Sequence, residues 1–194
     1  MTYPVHEAQA VFLDVETLRL STDPGMSWGD PGKFGLACAV TWSEADGFRD
    51  WVGDEPDAPS ALVAYLREGG IVVGHNIVRF DFLVIAAAAG LAPGVLAAAL
   101  RGRVVATWAC VRAATGRMVG LDALARGTLH RGKTGDGADA PRLWAAGRRA
   151  EVLAYCANDV RLLRDVFFHG ERFGALRYSA DGVAKSIRIK WRAR

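Results

Sequence analysis

The chain has 194 residues, of which 51% are hydrophobic and 23% charged, and its formal net charge is +3 at pH 7. This balance is typical of one globular domain with an ample core, and it excludes a disordered or repetitive chain. The mild positive charge permits binding to a polyanion without requiring it.

The predicted elements alternate between strands and helices along the chain. In order, we expect strands at 11–16, 34–42 and 48–52, a helix at 58–68, a strand at 71–75, helices at 82–89 and 94–100, a strand at 104–108, short helices at 121–125 and 141–146, and a long helix at 149–168. Together they predict an α/β fold with a mixed sheet and helices on both faces.

A C-terminal β-hairpin is expected over 176–192, with arms at 176–179 and 183–191 around the turn signal Asp181-Gly182. In its second arm, apolar residues from Val183 to Trp191 alternate with basic ones, so one face would pack and the other would be basic. The basic face could bind a nucleic-acid backbone, or it could protect an edge strand from aggregation.

Two acidic residues share one face of the first predicted strand. Asp14 and Glu16 alternate with Leu13 and Val15, and successive strand side chains point to opposite faces. Two like charges about 7 Å apart along a strand repel unless a positive charge lies between them. A divalent cation bound by oxygen ligands would relieve this repulsion. An edge strand with a solvated acidic face remains the alternative.

Two further segments place acids where a fold rarely buries a charge. Asp81 follows the buried strand at 71–75 and opens a helix, where helix capping alone could explain it. Tyr155 and Asp159 are four residues apart on the apolar stripe of the long helix, so both project from one face. A salt bridge to a neighbouring arginine is the alternative for Asp159.

A glycine-rich segment at 127–134 matches the phosphate-loop pattern G-x(4)-G-K-[ST]. A phosphate loop follows a buried strand and opens a helix. This segment instead follows a predicted helix and precedes glycines and a proline, so we interpret it as a loop near the site. Lys133 is then expected to be a solvated loop lysine, with contact to a substrate phosphate as the alternative.

The three acidic segments, complete and in order between residues 11 and 168, resemble the motifs of the DEDD superfamily of 3′–5′ exonucleases, in its tyrosine (DEDDy) branch. The motifs are Asp-x-Glu, Asn-x(3)-Phe-Asp and Tyr-x(3)-Asp. The chain also resembles stand-alone bacterial exonuclease-like domains found near helicase genes. The resemblance implies a ribonuclease H-like fold and a single exonuclease-like domain over 1–194.

The resemblance also implies a role for each matched residue. Two Mg²⁺ or Mn²⁺ ions would be bound by four carboxylates, those of Asp14, Glu16, Asp81 and Asp159. Tyr155 would orient the attacking water. Thr17 and Leu18 would lie against the terminal nucleotide, whereas His75 and Asn76 would contact the nucleic acid or brace the site. For His75, a hydrogen-bonded position at the strand end is the alternative to direct catalysis.

The expected activity is metal-dependent removal of nucleoside 5′-monophosphates from single-stranded or frayed DNA 3′ ends. Trimming of RNA ends and a non-catalytic nucleic-acid-binding module remain alternatives. A helicase or polymerase partner stays open as an added role.

The cysteines and the N-terminal residues indicate in which cellular compartment the protein is expected. Cys38, Cys110 and Cys156 are odd in number and scattered in apolar settings, which argues against disulfides or a zinc site and predicts buried packing residues. Residues 1–7 lack the features of a signal peptide, and the alanine-rich run at 82–100 is too interrupted to span a bilayer. We therefore expect a cytoplasmic protein without a membrane partner.

Overall fold

A mixed five-stranded sheet forms the centre of the fold. The computed structural model describes residues 10–180 and 183–193. The sheet order is β3-β2-β1-β4-β5, with β1 antiparallel to β2, β2 antiparallel to β3, and β1, β4 and β5 mutually parallel. The strands are β1 (Ala10–Thr17), β2 (Leu36–Ser43), β3 (Gly47–Val52), β4 (Ile71–Gly74) and β5 (Val104–Ala106).

Helices connect the strands and cover both faces of the sheet. They are α1 (Ala58–Glu68), α2 (Asp81–Ala88), α3 (Val95–Ala99), α4 (Thr107–Thr115), α5 (Leu121–Leu129), α6 (Ala140–Ala145) and α7 (Arg149–Phe173). Short 3-10 turns lie at Pro31–Phe34 and Gly137–Asp139, and the hairpin strands are β6 (Ala175–Ala180) and β7 (Val183–Arg188).

Strand alternation in β1 divides the interior into two cores. Phe12 packs with the apolar stripe of α7, including Phe167, on one face. Leu13 and Val15 pack with residues of α1 and α2, among them Phe82, on the other. Because side chains alternate along a strand, Asp14 and Glu16 point to the same face as Phe12, toward α7. The predicted α/β class with helices on both faces is confirmed.

Several element boundaries differ from the sequence predictions, each for a local reason. The strand expected at 104–108 ends at Ala106, because Thr107 begins α4. Phe34 lies in a 3-10 turn rather than in β2. The long helix continues past residue 168 until Gly174, whose φ of 64° terminates it in the left-handed conformation. Its last turn lies largely at the surface, so the apolar periodicity stops before the helix does.

The C-terminal hairpin packs against α5 and α7. Thr128 donates a hydrogen bond to the Arg177 carbonyl at 2.8 Å, and Trp191 Nε1 donates to the Phe167 carbonyl at 2.9 Å. The alternation expected in the second arm is present from Ile187 to Arg192, where apolar residues are buried and basic ones exposed. Val183 is exposed, so the prediction that it packs is wrong. The predicted turn Asp181-Gly182 lies outside the described residues.

No helix within 10–180 or 183–193 combines the length and the apolar character needed to cross a bilayer.

Candidate active site

A cavity of about 600 Å³ opens where the carboxyl ends of β1 and β4 meet α7. Crevices at the carboxyl ends of parallel strands are frequent binding sites in α/β folds. Its lining brings together all five predicted catalytic residues, Asp14, Glu16, Asp81, Tyr155 and Asp159. Of the four predicted substrate contacts, Thr17, His75 and Asn76 line it too, whereas Leu18 does not.

Strand β1 aims two carboxylates into the cavity. The β1–β2 register shifts between Glu16 and Thr17, and such a bulge re-aims side chains at the end of a strand. One ligand atom each of Asp14, Glu16 and Cys156 lies within 4.8 Å of the others. Cys156 is buried as predicted, but its thiol also donates a hydrogen bond to the Asp14 carbonyl at 3.4 Å.

Helix α7 supplies Tyr155 and Asp159 one turn apart, as the spacing predicts. Asp159 is only 1% exposed, and its Oδ1 has no hydrogen-bond partner within the described part of the chain. A buried carboxylate oxygen without a partner is costly, and such groups usually pair or coordinate metals. The arginine salt bridge considered as an alternative is absent from the described residues, where the partner of Asp159 is Lys133.

Helix α2 begins at Asp81, which is buried although first-turn acids usually face solvent. Burial raises the pKa of Asp81 to about 7, although backbone hydrogen bonds from Asp81 and Val15 and the charge of Lys133 oppose the rise. Dipole stabilisation at a helix start does not require such burial, so capping alone does not account for this position.

The remaining carboxylates are perturbed in the same direction. The pKa of Asp14 is raised well above its usual range by burial and then by the charges of Asp159 and Asp81. Burial followed by the charge of Asp14 raises the pKa of Glu16, and burial also raises that of Asp159. Four carboxylates that are desolvated together and repel one another require either protons or cations.

Lys133 supplies one positive charge to this cluster, and the prediction that it is a solvated loop lysine is wrong. Its Nζ forms an ion pair with Asp159 and donates a hydrogen bond to Tyr155 Oη at 3.2 Å. Burial would lower the pKa of Lys133, but the charges of Asp14 and Asp159 outweigh burial and raise it. The rise in the pKa of Tyr155, caused by burial and by Asp159, keeps its hydroxyl protonated.

A hydrogen bond to the preceding helix holds the loop that carries Lys133. The backbone N–H of Lys133 donates to Asp122 Oδ1 at 2.8 Å, at the start of α5. Gly127, the first glycine of the phosphate-loop pattern, lies inside α5 rather than between a strand and a helix. The rejection of a phosphate loop is therefore confirmed. The phosphate-loop pattern gave no indication that Lys133 lies among the carboxylates.

The His75 ring is held by hydrogen-bonding contacts at both of its nitrogens. Its Nδ1 lies 2.9 Å from Thr107 Oγ1, and its Nε2 lies 3.1 Å from the Val119 carbonyl oxygen. Burial lowers the pKa of His75 to about 4, so the ring is neutral and Nε2 carries the proton donated to that carbonyl. With both nitrogens engaged, the hydrogen-bonded alternative fits His75 better than direct catalysis. Asn76, next along the chain, lines the cavity.

An aromatic cluster that the sequence analysis did not identify borders the same cavity. Trp28 is 69% exposed, and its ring centroid lies 5.8 Å from that of Phe34 and 5.7 Å from that of Phe80. All three line the cavity, so the loop at 21–33 borders it as expected.

The two predicted substrate contacts that follow β1 lie at the start of this loop. Thr17 donates its hydroxyl to the Arg19 carbonyl at 2.8 Å, and Leu18 is exposed at the first turn of the loop.

No family model and no curated protein sequence matches the chain. A solved structure of the family B DNA polymerase from the hyperthermophilic archaeon Pyrobaculum calidifontis is similar in fold, with a TM-score of 0.63 at 16% sequence identity. The similarity covers 84% of this chain and 24% of the polymerase, so the chain spans about a quarter of that protein's length. With the sheet order, this similarity confirms the predicted ribonuclease H-like fold class.

The donor set fits hard divalent cations. Carboxylate oxygens are the ligands that Mg²⁺ and Mn²⁺ prefer, and the unpartnered Oδ1 of Asp159 leaves one such oxygen available. The acidic cluster can therefore hold metal ions.

Proposed function

We propose that the chain is a metal-dependent 3′–5′ exonuclease that releases nucleoside 5′-monophosphates from single-stranded or frayed DNA 3′ ends. The observation that carries the proposal is the meeting of four carboxylates in one cavity, with Asp159 buried and one of its oxygens unpartnered. Like charges are not gathered and desolvated in this way for stability. They are arranged in this way where cations and a phosphodiester must be held together.

Asp14, Glu16, Asp81 and Asp159 would hold two Mg²⁺ or Mn²⁺ ions. When bound, such a pair activates a water molecule and stabilises the leaving 3′ oxygen of a phosphodiester. The buried walls of β1 and α7 fix the carboxylates, so their geometry does not have to form during the reaction.

Tyr155 and Lys133 would act beside Asp159, which Lys133 contacts directly. The Tyr155 hydroxyl remains protonated, so it can orient a water molecule through hydrogen bonds but does not serve as a strong base. Lys133 holds that hydroxyl at 3.2 Å and brings a positive charge close to where a phosphate would gain negative charge. Both groups would position the reactants rather than exchange protons with them.

The aromatic cluster at the rim suits the 3′-terminal base. Trp28 is exposed but anchored on Phe34 and Phe80, and an anchored aromatic surface can stack any base. Leu18, exposed nearby in the chain, could contact the same base. The fold similarity to a DNA polymerase supports a nucleic-acid substrate.

The test is hydrolysis of 5′-labelled single-stranded DNA and RNA of one sequence, in Mg²⁺, Mn²⁺ or EDTA. We expect a ladder that shortens from the 3′ end, disappears in EDTA and is lost in Asp14→Asn. Asp50→Asn, which removes an exposed carboxylate on β3, should leave the ladder unchanged. Faster shortening of the RNA than of the DNA would show that RNA is the preferred substrate. No cleavage of either strand by folded protein would contradict the enzyme and favour a binding module.

A further inference from the structure

A second cavity of about 620 Å³ lies beside the candidate active site, along the edge strand β5. We call it the arginine groove. Its lining combines small apolar side chains with Asn76, Trp108 and three arginines, which are Arg79, Arg101 and Arg112. Among these described residues none is acidic, so the groove is an electropositive surface with an apolar floor.

The three arginines have no charge partners among the described residues. Ion pairs occur elsewhere in that part of the chain, and Arg79, Arg101 and Arg112 take part in none of them. Three exposed guanidinium groups around one cavity repel each other, and no carboxylate within the described ranges neutralises their charge. An anionic ligand bound in the groove would neutralise it.

Trp108 holds two of these groups in position. The Cζ atoms of Arg79 and Arg112 lie 5.6 and 5.3 Å from the centroid of its ring. A guanidinium held over an aromatic ring is oriented by the ring and still has N–H donors for oxygen acceptors elsewhere. Planar N–H donors of this kind match the oxygens of phosphate groups. The contacts therefore pre-position two phosphate donors at little entropic cost.

The arginine groove adjoins the candidate active site. Asn76 lines both cavities. The backbone N–H of Trp108 donates to the His75 carbonyl at 2.8 Å, which ties the start of α4 to the segment that enters the site. A polymer whose end lies at the carboxylates could therefore continue along the groove.

We propose that the arginine groove binds the backbone of the nucleic-acid strand on the 5′ side of the nucleotide being removed. The direction of the strand rests on the proposed exonuclease, whereas the presence of a strand in the groove does not. Arg79, Arg101 and Arg112 would contact successive phosphates, and the apolar floor would lie against sugars or bases. Such contacts read no sequence, so the groove would add affinity and reach without base preference.

The test measures binding without hydrolysis. Fluorescence anisotropy in EDTA would give the affinity of 5′-labelled single-stranded oligonucleotides of two and twelve nucleotides for wild-type protein and for the double variant Arg79→Ala/Arg112→Ala. The matched control is Arg49→Ala, because Arg49 also lies over aromatic rings, those of Trp51 and Tyr65, but on β3 at the opposite edge of the sheet. Thermal unfolding would verify that each variant is folded.

We expect the double variant to bind the 12-mer roughly 10- to 100-fold more weakly, since it loses two charge-assisted contacts. The slope of log affinity against log salt should fall by about 1.4, because each single-strand phosphate contact contributes about 0.7. The loss should be smaller for the dinucleotide, and the Arg49 control should bind like wild type.

Three results would overturn the inference. The first is wild-type affinity and salt slope in the double variant, and the second is an equal loss in the Arg49 control. The third is a polyglutamate competitor as effective as an oligonucleotide of equal charge, which would assign the groove to an acidic protein segment. If the wild-type protein hydrolyses DNA but gives any of these results, the proposed exonuclease activity holds and the groove proposal fails. If the protein binds strands in a length-dependent way but does not hydrolyse them, the groove proposal holds and the proposed exonuclease activity fails.

Discussion

Replacing Lys133 with methionine should destabilise the metal-free protein, because the ammonium is the counter-charge of a buried carboxylate. Asp159 is 1% exposed and the Lys133 side chain 30% exposed. Removing one partner of a fully buried ion pair costs about 3–5 kcal/mol, and the partial exposure of Lys133 reduces this to about 2–3 kcal/mol. Urea unfolding at pH 8 in EDTA would measure the loss.

The loss should depend on pH and on metal. Without the ammonium, the pKa of Asp159 rises further above its value in the unfolded chain, so the folded state binds this proton more tightly than the unfolded state does. The variant should therefore lose more stability at pH 8 than at pH 5, where Asp159 can accept a proton. Mn²⁺ should narrow the gap to wild type, because a bound cation replaces the missing charge and no longer competes with Lys133.

The matched control is Lys33→Met, which removes the exposed pair between Lys33 and Asp30. Exposed pairs contribute roughly 0–1 kcal/mol. If Lys133→Met costs no more stability than this control, or the same amount with and without Mn²⁺, then the ammonium is not the counter-charge of Asp159.

Three further outcomes follow from the structure. In metal-free protein the raised pKa of Asp81, about 7, means that the folded state holds this proton more tightly than the unfolded state. Stability should therefore fall as pH rises from about 4 to 7, by at most about 1.4 kcal/mol per pH unit from this group, and Asp81→Asn should remove that part of the slope in pH-dependent urea unfolding. Gly127→Ala should lower the free energy of unfolding by about 1–3 kcal/mol, because the new Cβ would lie 2.5 Å from the Arg177 carbonyl oxygen; unchanged stability would contradict the packing of α5 on β6. Trp28→Ala should raise KM on single-stranded DNA with little loss of thermal stability, because this ring is mostly exposed; an unchanged KM would exclude it from the substrate surface.

Local patterns were sufficient to predict which acidic side chains share a face with their neighbours. The shared face of Asp14 and Glu16 follows from strand alternation, and that of Tyr155 and Asp159 from helical spacing, and neither depends on distant parts of the chain. The helix at 58–68 was predicted at its observed bounds, because prolines mark its start and glycines its end. Assembly of these segments at one end of the sheet came from the family resemblance rather than from spacing.

Features that depend on distant contacts were not predicted. Lys133 reaches the carboxylates because its loop is held at the start of α5, and no local pattern encodes that contact. The aromatic cluster joins Trp28 in a glycine- and proline-rich loop to Phe80 beside α2. The arginine groove likewise depends on Arg79 and Arg112 meeting over the ring of Trp108, although Arg79 lies between β4 and α2 and Arg112 lies in α4.

The four carboxylates of the cavity, Asp14, Glu16, Asp81 and Asp159, should together bind two divalent cations. Calorimetric titration of Mn²⁺ into metal-free protein would measure this binding, beside Asp14→Asn in the site and Asp50→Asn on the exposed face of β3. We expect about two ions per chain for wild type and for Asp50→Asn, with markedly weaker binding in Asp14→Asn. Absence of Mn²⁺ binding by folded wild-type protein, or binding that Asp14→Asn leaves unchanged, would show that these carboxylates do not form a metal site.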